Sequence, residues 1–182
     1  MPRRLATQLD GLVLIEPEVH GDERGFLVET FRDELWRELG IEMQAVQENH
    51  SRSGKNILRG LHFQTSPGQA KLVRCMCGRI WDVAVDLRRD SDTYGRWEGH
   101  ELDDSNHRQF LVPVGFAHGF CVLSEVADVA YKLSSLYDPG TEAGIAWDDP
   151  DLAVEWPIAD PVLSDRDKTA PRLSEIADRL RW

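Results

Sequence analysis

The chain has little with which to cross a membrane. Its longest mostly apolar stretch, FLVPVGFAHGFCVL at 110–123, is too short to span a bilayer and contains Pro113 and His118. The opening MPRRLATQLD has two arginines with no apolar run behind them, which argues against a signal peptide. Positive charge is scarce too. Against 32 Asp and Glu stand 21 Lys and Arg, a formal charge of −11. Such a surface repels phosphate backbones, so nucleic acid is excluded as a general partner. A small anionic ligand would need cations gathered at its site. Cysteine is limited to Cys75, Cys77 and Cys121. Cys75 and Cys77 alternate along an apparent strand and share a face, where they cannot easily pair. Reduced, buried thiols in a cytoplasmic protein follow, and a Cys-x-Cys metal site lacks evident partners.

There is no internal repeat, no low-complexity segment and no linker. The 182 residues suit one domain, read as 1–182. Helical periodicity is sparse. DELWRELG at 33–40 predicts a short helix, with Asp33 as N-cap, Leu35, Trp36 and Leu39 on one face, and Gly40 as its stop. SEIADRL at 174–180 predicts another, starting at Ser174.

What the chain has instead is short strands and turns. ILRGLHFQ at 57–64 reads as a strand, yet it sets Arg59 and His62 among large apolar neighbours. RIWDVAVDL alternates, with Trp81, Val83, Val85 and Leu87 on one face and Asp82, Ala84 and Asp86 on the other. VADVAYKLSSLY puts Val129, Tyr131 and Leu133 together. VLIEP, GFLVETF, QAVQENH, KLVRCMC and RQFLVPV are further strands, punctuated by HGDERG, SGKN, SPGQ and DPGTE. Strands without intervening helices predict an all-β fold, a jelly-roll barrel with a few short peripheral helices and a mouth for a ligand.

Two motifs concern chemistry. PVGFAHGF supplies P-x-G-x-x-H ending on His118, and GLHFQ supplies G-x-H-x-Q. Both resemble the metal-binding motifs of cupins. Gln64, however, stands where the second histidine belongs. Lys71, seven residues before Gly78, stands where the carboxylate ligand belongs. A divalent cation wants imidazoles and carboxylates, and an ammonium repels it. The scaffold is cupin-like with its metal site dismantled. His62 and His118 remain as bases in the physiological range, and Lys71 as a fixed cation for a developing oxyanion. That pairing suits removal of a proton α to a carbonyl, with Tyr131 or Tyr137 to return one.

Each of these residues also has a plainer reading. Ser164-x-x-Asp167 resembles a capping box with its carboxylate turned to the backbone. Lys71 and Arg74 fit a solvated face, His118 a core histidine and Tyr131 a wall aromatic. Trp81, Trp97, Trp147 and Trp156 suit core or interface, and DDPD at 148–151 a solvated turn.

The ordered set GDERGFLVETF, VQENHS, LRGLHFQ, KLVRC, VDLR, VPVGFAHGF, YK, WDD, EWP and LSDRD resembles the dTDP-4-dehydrorhamnose 3,5-epimerase family from about Ile15 to about Pro171. The resemblance implies a cupin-like homodimer without metal or other cofactor, acting on a dTDP-linked 4-keto-6-deoxyhexose. It implies His62 as proton acceptor, Asp167 as its partner carboxylate, Lys71 on the enolate oxygen and Tyr131 as the returning acid. Arg24, Arg59 and Arg166 match phosphate-binding positions. Gln47, Glu48, Asn49 and His118 match positions near the sugar or phosphates. Phe26, Glu29, Tyr137 and Glu142 match nucleotide-binding positions. The Arg24-to-Glu29 stretch is expected to reach the neighbouring subunit's site. Glu48 stands where many members have Asp. A relative that epimerises one centre, C3 or C5, carries the same residues.

Overall fold

Alternating apolar residues build the two main sheets. The computed structural model describes residues 1–180 and 182. Among these, the first strands are β1 (Arg3–Leu5), β2 (Val13–Glu16), β3 (Val19–Asp22), β4 (Gly25–Val28) and β5 (Gln47–Gly54). Then follow β6 (Leu58–Gln64), β7 (Lys71–Cys77), β8 (Arg79–Asp86) and β9 (Trp97–Asp103). The last are β10 (Gln109–Val112), β11 (Phe116–Val122), β12 (Val126–Leu133) and β13 (Glu142–Gly144). The helices are short: α1 (Asp33–Glu38), α2 (Asp165–Lys168) and α3 (Leu173–Ile176), which runs into a 3₁₀ turn at Ala177–Arg179.

One sheet has the order β1-β2-β10-β7-β12-β5 and the other β13-β6-β11-β8-β9. They form the all-β, cupin-like jelly roll expected from the strand-rich sequence. Leu14, Val73, Phe110 and Val129 of the first sheet meet Ile80, Ala84, Leu102 and Phe120 of the second in the central core. Each sheet is also covered on its outer side. Trp36 of α1, with Ile41 and Met43, lies over Val13, Ile15, Leu72 and Leu111. The C-terminal segment lays Leu173, Ile176 and Leu180 over Leu61, Val83, Val85 and Ala117. This double cover explains β8, where Val83 and Val85 are buried on the outward face beside the partly buried Trp81, and Asp82 and Ala84, on the other face, are buried as well.

Several local expectations are corrected. The N-cap of α1 is Arg32, without a side-chain cap; Asp33 lies inside the first turn and pairs with Arg37. Gly40 does end that helix, at φ +94°, where a Cβ would meet the Arg4 guanidinium. α3 starts at Leu173 rather than Ser174. The turn expected at HGDERG is present at Glu23 and Arg24, where it joins β3 to β4, and the residues on either side of it belong to those strands. Asp149 in DDPD is buried: it accepts the Leu173 N–H at 2.7 Å and so ties down α3. All three cysteines are free, but Cys77 is exposed. Burial pushes the Cys75 and Cys121 thiols up to about 12, which keeps them protonated and inert. Among the described residues no helix is long and apolar enough to cross a membrane.

Candidate active site

A cavity of about 480 Å³ opens between the sheets, a volume that suits a small molecule. Its wall depends on an irregularity in β6. His118 of β11 pairs with His62, but Phe120 pairs with Arg59, so β6 holds one extra residue over this span. Strict alternation would send Arg59 and His62 to opposite faces. The bulge turns both to the cavity, while Leu58 and Leu61 stay buried. Gly60 sits inside it, at φ +137°, where an added Cβ would lie 2.5 Å from Gly119 Cα. Only glycine admits the two backbones this close.

The opposite wall comes from the C-terminal segment. Val162 bridges to Ile57, its N–H donates to the Asn56 carbonyl at 2.8 Å, and its carbonyl accepts the Leu58 N–H at 3.1 Å. This seam carries Ser164, Arg166 and Asp167 to β6. Ser164 caps α2, its Oγ accepting the Asp167 N–H at 3.1 Å. The capping half of the Ser-x-x-Asp reading therefore holds. The other half does not, because the Asp167 carboxylate turns to His62, with Oδ1 2.6 Å from Nε2. A carboxylate only accepts, so Nε2 carries the proton and Nδ1 keeps the free lone pair. Burial pushes the Asp167 carboxyl up, but the bond from His62, its charge and the Ser164 contact hold it below the usual range.

Lys71 is buried in the same cavity, which corrects the solvated-face reading. Its Nζ donates to the His62 carbonyl at 3.3 Å. Burial lowers its pKa to about 8, against the opposing charges of Glu142 and Asp82. Tyr131, Asn49 and His118 line the cavity too. At its rim Glu142 accepts from Tyr137 Oη at 2.8 Å and from Arg166. Arg59 Nε donates to Ser53 Oγ at 3.0 Å. Gln47 stands behind the wall: it accepts the Tyr137 N–H and donates to Asn49 Oδ1, both at 2.9 Å.

Besides Gln47, four expected site residues lie outside this chain's cavity. Arg24 pairs with Asp22 on the β3–β4 hairpin. Phe26 is 61% exposed there, its ring tilted against that of His107 with centroids 4.6 Å apart. Glu29 pairs with Arg32. Glu48 points to the other face of β5, where its carboxylate meets Lys132 Nζ at 2.9 Å. The sequence reading missed Asp82, whose carboxylate takes the His118 Nε2 bond at 2.7 Å. The alternation of β8 placed it opposite the tryptophan face, and that was the available signal. Gln64 is buried and takes the Ser135 hydroxyl at 3.4 Å. Among the described residues no three His, Cys, Asp or Glu side chains gather as metal ligands would.

The fold and this group of side chains define a class: cupin-like jelly rolls with acid–base groups in the barrel mouth. The chain belongs to the dTDP-4-dehydrorhamnose 3,5-epimerase family, whose model matches residues 6–175. It is 49% identical over 176 residues to the dTDP-4-dehydrorhamnose 3,5-epimerase of Methanothermobacter thermautotrophicus, covering 95% of each chain. It is 42% identical over 172 residues to a dTDP-4-dehydrorhamnose 3-epimerase of Streptomyces niveus, covering 93% of this chain and 83% of the other. A crystal structure of the dTDP-6-deoxy-D-glucose-3,5-epimerase of Legionella pneumophila, in complex with dTDP-4-keto-L-rhamnose, superposes with a TM-score of 0.96. Its sequence is 47% identical, and the match covers 100% of this chain and 99% of that one.

Proposed function

We propose that this protein inverts C3 and C5 of dTDP-4-keto-6-deoxy-D-glucose to give dTDP-4-keto-L-rhamnose, a step of dTDP-L-rhamnose biosynthesis. The observation that carries this reading is the 2.6 Å contact between His62 and Asp167 inside a cavity shared with Lys71 and Tyr131. The C4 ketone acidifies the protons on both flanking carbons. His62 Nδ1 takes one of them, and Asp167 stabilises the resulting imidazolium. The C–H electron pair moves into the enolate, whose oxygen Lys71 Nζ holds by a charged hydrogen bond. Tyr131 returns a proton to the carbon from the other face. Solvent then resets His62 and Tyr131, and a second round inverts the second centre. General acid–base transfer and the oxyanion contact each contribute about a hundredfold to a thousandfold.

Arg59 and Arg166 meet the diphosphate, for which guanidinium forks are suited. Asn49, Gln47 and His118 orient the sugar, and Tyr137 and Glu142 the nucleotide. The protein acts as a cytoplasmic homodimer of single-domain chains. In it, Arg24, Phe26 and Glu29 of the exposed hairpin complete the site of the other subunit, and Glu48 lends support from the outer face of β5. A second reading, epimerisation at one centre only, is favoured by the similarity to the Streptomyces niveus 3-epimerase.

The test is incubation with dTDP-4-keto-6-deoxyglucose in heavy water. Deuterium at both C3 and C5 supports the double epimerase. Deuterium at one carbon selects the single-centre enzyme, and none at either sinks both readings.

A further inference from the structure

His118, which lines the cavity, belongs to a second imidazole–carboxylate pair whose carboxylate, behind the wall, has no part in the chemistry proposed above. Asp82 lies on β8, wholly buried, beside the strand that carries His118. Its Oδ1 takes the bond from His118 Nε2 at 2.7 Å. Its Oδ2 is buried and has no hydrogen-bond partner, the one carboxylate oxygen of that kind among the described residues. Buried polar atoms are nearly always paired, and an unpaired carboxylate oxygen inside a core calls for a compensating charge nearby.

The groups that share the cavity with Lys71 come from every wall. β6 supplies Arg59 and His62, β11 His118, β12 Tyr131, β13 Glu142, and α2 Arg166 and Asp167. The carboxylates among these are engaged: Glu142 by Arg166 and Tyr137, and Asp167 by His62. Asp82 keeps an oxygen uncommitted. We propose that Asp82 is a positioning residue for the epimerase chemistry: Oδ1 fixes the His118 ring, and the charge on Oδ2 holds Lys71 as an ammonium ready for the ketone oxygen. Consistently, Asp82 and Glu142 are the charges that favour the Lys71 ammonium against its burial. The bond to Oδ1 puts the His118 proton on Nε2 and leaves Nδ1 as the ring nitrogen available to a ligand.

This inference rests on the epimerase reading for its purpose, and its test does not need substrate. The lysines are Lys55, Lys71, Lys132 and Lys168. In protein labelled with ¹³Cε-lysine, the resonance lost in Lys71→Met belongs to Lys71. Its titration midpoint is expected near 8 in the unaltered protein. In Asp82→Asn it is expected to fall by about one pH unit, since a favourable charge is gone. The alkaline limb of kcat is expected to move with it, while KM changes little. A folded Asp82→Asn protein whose Lys71 midpoint stays put overturns the proposal. The smaller Asp82→Ser serves the same comparison if the amide is not tolerated. In the unaltered protein, imidazole nitrogen shifts must report His118 protonated on Nε2. A ring bare at Nε2 overturns the assignment even if neither variant folds. Unaltered protein that incorporates no deuterium sinks the epimerase reading, and the Lys71 titration still decides the role of Asp82.

Discussion

Asp167 reaches His62 from a helix that its own backbone helps to cap: its N–H donates to Ser164 Oγ at 3.1 Å, and its Oδ1 lies 2.6 Å from His62 Nε2. One residue thus serves both fold and site. Removing the cap and removing the carboxylate should separate the two. Ser164→Ala is expected to lower stability by about 1 kcal/mol, read as a fall in Tm. Asp167→Asn is expected to keep the cap and lower kcat about a hundredfold or more, because an amide no longer stabilises the imidazolium. His62→Ala should abolish deuterium incorporation with the fold intact by circular dichroism. If turnover survives in His62→Ala, His62 is not the base.

Lys71 should be a residue that destabilises the protein it serves. Burial lowers its pKa from 10.5 to about 8. Below pH 8 both folded and unfolded chains carry the proton, and the full penalty of burying the ammonium applies. Between 8 and 10.5 the folded chain sheds the proton and the unfolded chain keeps it, so stability from this group rises with pH. The span corresponds to about 3 kcal/mol. Lys71→Met is therefore expected to raise stability at pH 7 by about 2–3 kcal/mol in urea unfolding while losing about a hundredfold or more in kcat. A variant that is both less stable and active contradicts the assignment.

The same ammonium sets an alkaline limb. Enolate holding requires the proton on Nζ, so kcat should fall as pH rises through about 8. A rate profile that is flat from pH 7 to beyond 9 would remove Lys71 from the enolate oxygen.

Tyr131→Phe should split proton removal from proton return. His62 is untouched, so the substrate should still exchange its C3 or C5 proton with heavy water. Configuration should be largely retained, because the acid on the other face is missing. Nuclear magnetic resonance of the sugar distinguishes exchange with retention from inversion. Full inversion by Tyr131→Phe would give that role to another group, with Tyr137 the first to replace.

The proposed dimer has its own test. Arg24→Ala and His62→Ala chains should each be impaired. If Arg24 completes the site of the other subunit, co-refolding equal amounts forms mixed dimers with one intact site. Activity should return to about a quarter of the unaltered level. No recovery in a mixture shown to contain mixed dimers would place Arg24 in its own chain's site or in none.

Much of this was legible in the sequence because it is local. Alternation in β8 and β12, the Gly40 stop and the turn at Ser66–Gln69 follow from side-chain period and backbone freedom, which neighbours in the chain determine. The replacement of metal ligands by Gln64 and Lys71 is likewise a matter of residue identity. What the tertiary structure decided is what faces what. The bulge that brings Arg59 and His62 to one cavity depends on how β6 meets β11. The burial of Lys71, which lowers its pKa, depends on walls drawn from β5 to α2. Asp82, read as the polar face of a strand, is buried because that face of β8 turns toward the first sheet, and Asp149, read as a solvated turn, is buried where it ties down α3. His62 and Asp167 are 105 residues apart. Residue type assigned each a chemistry, and only the closing of the chain, driven by burial of its apolar faces, put one within a hydrogen bond of the other.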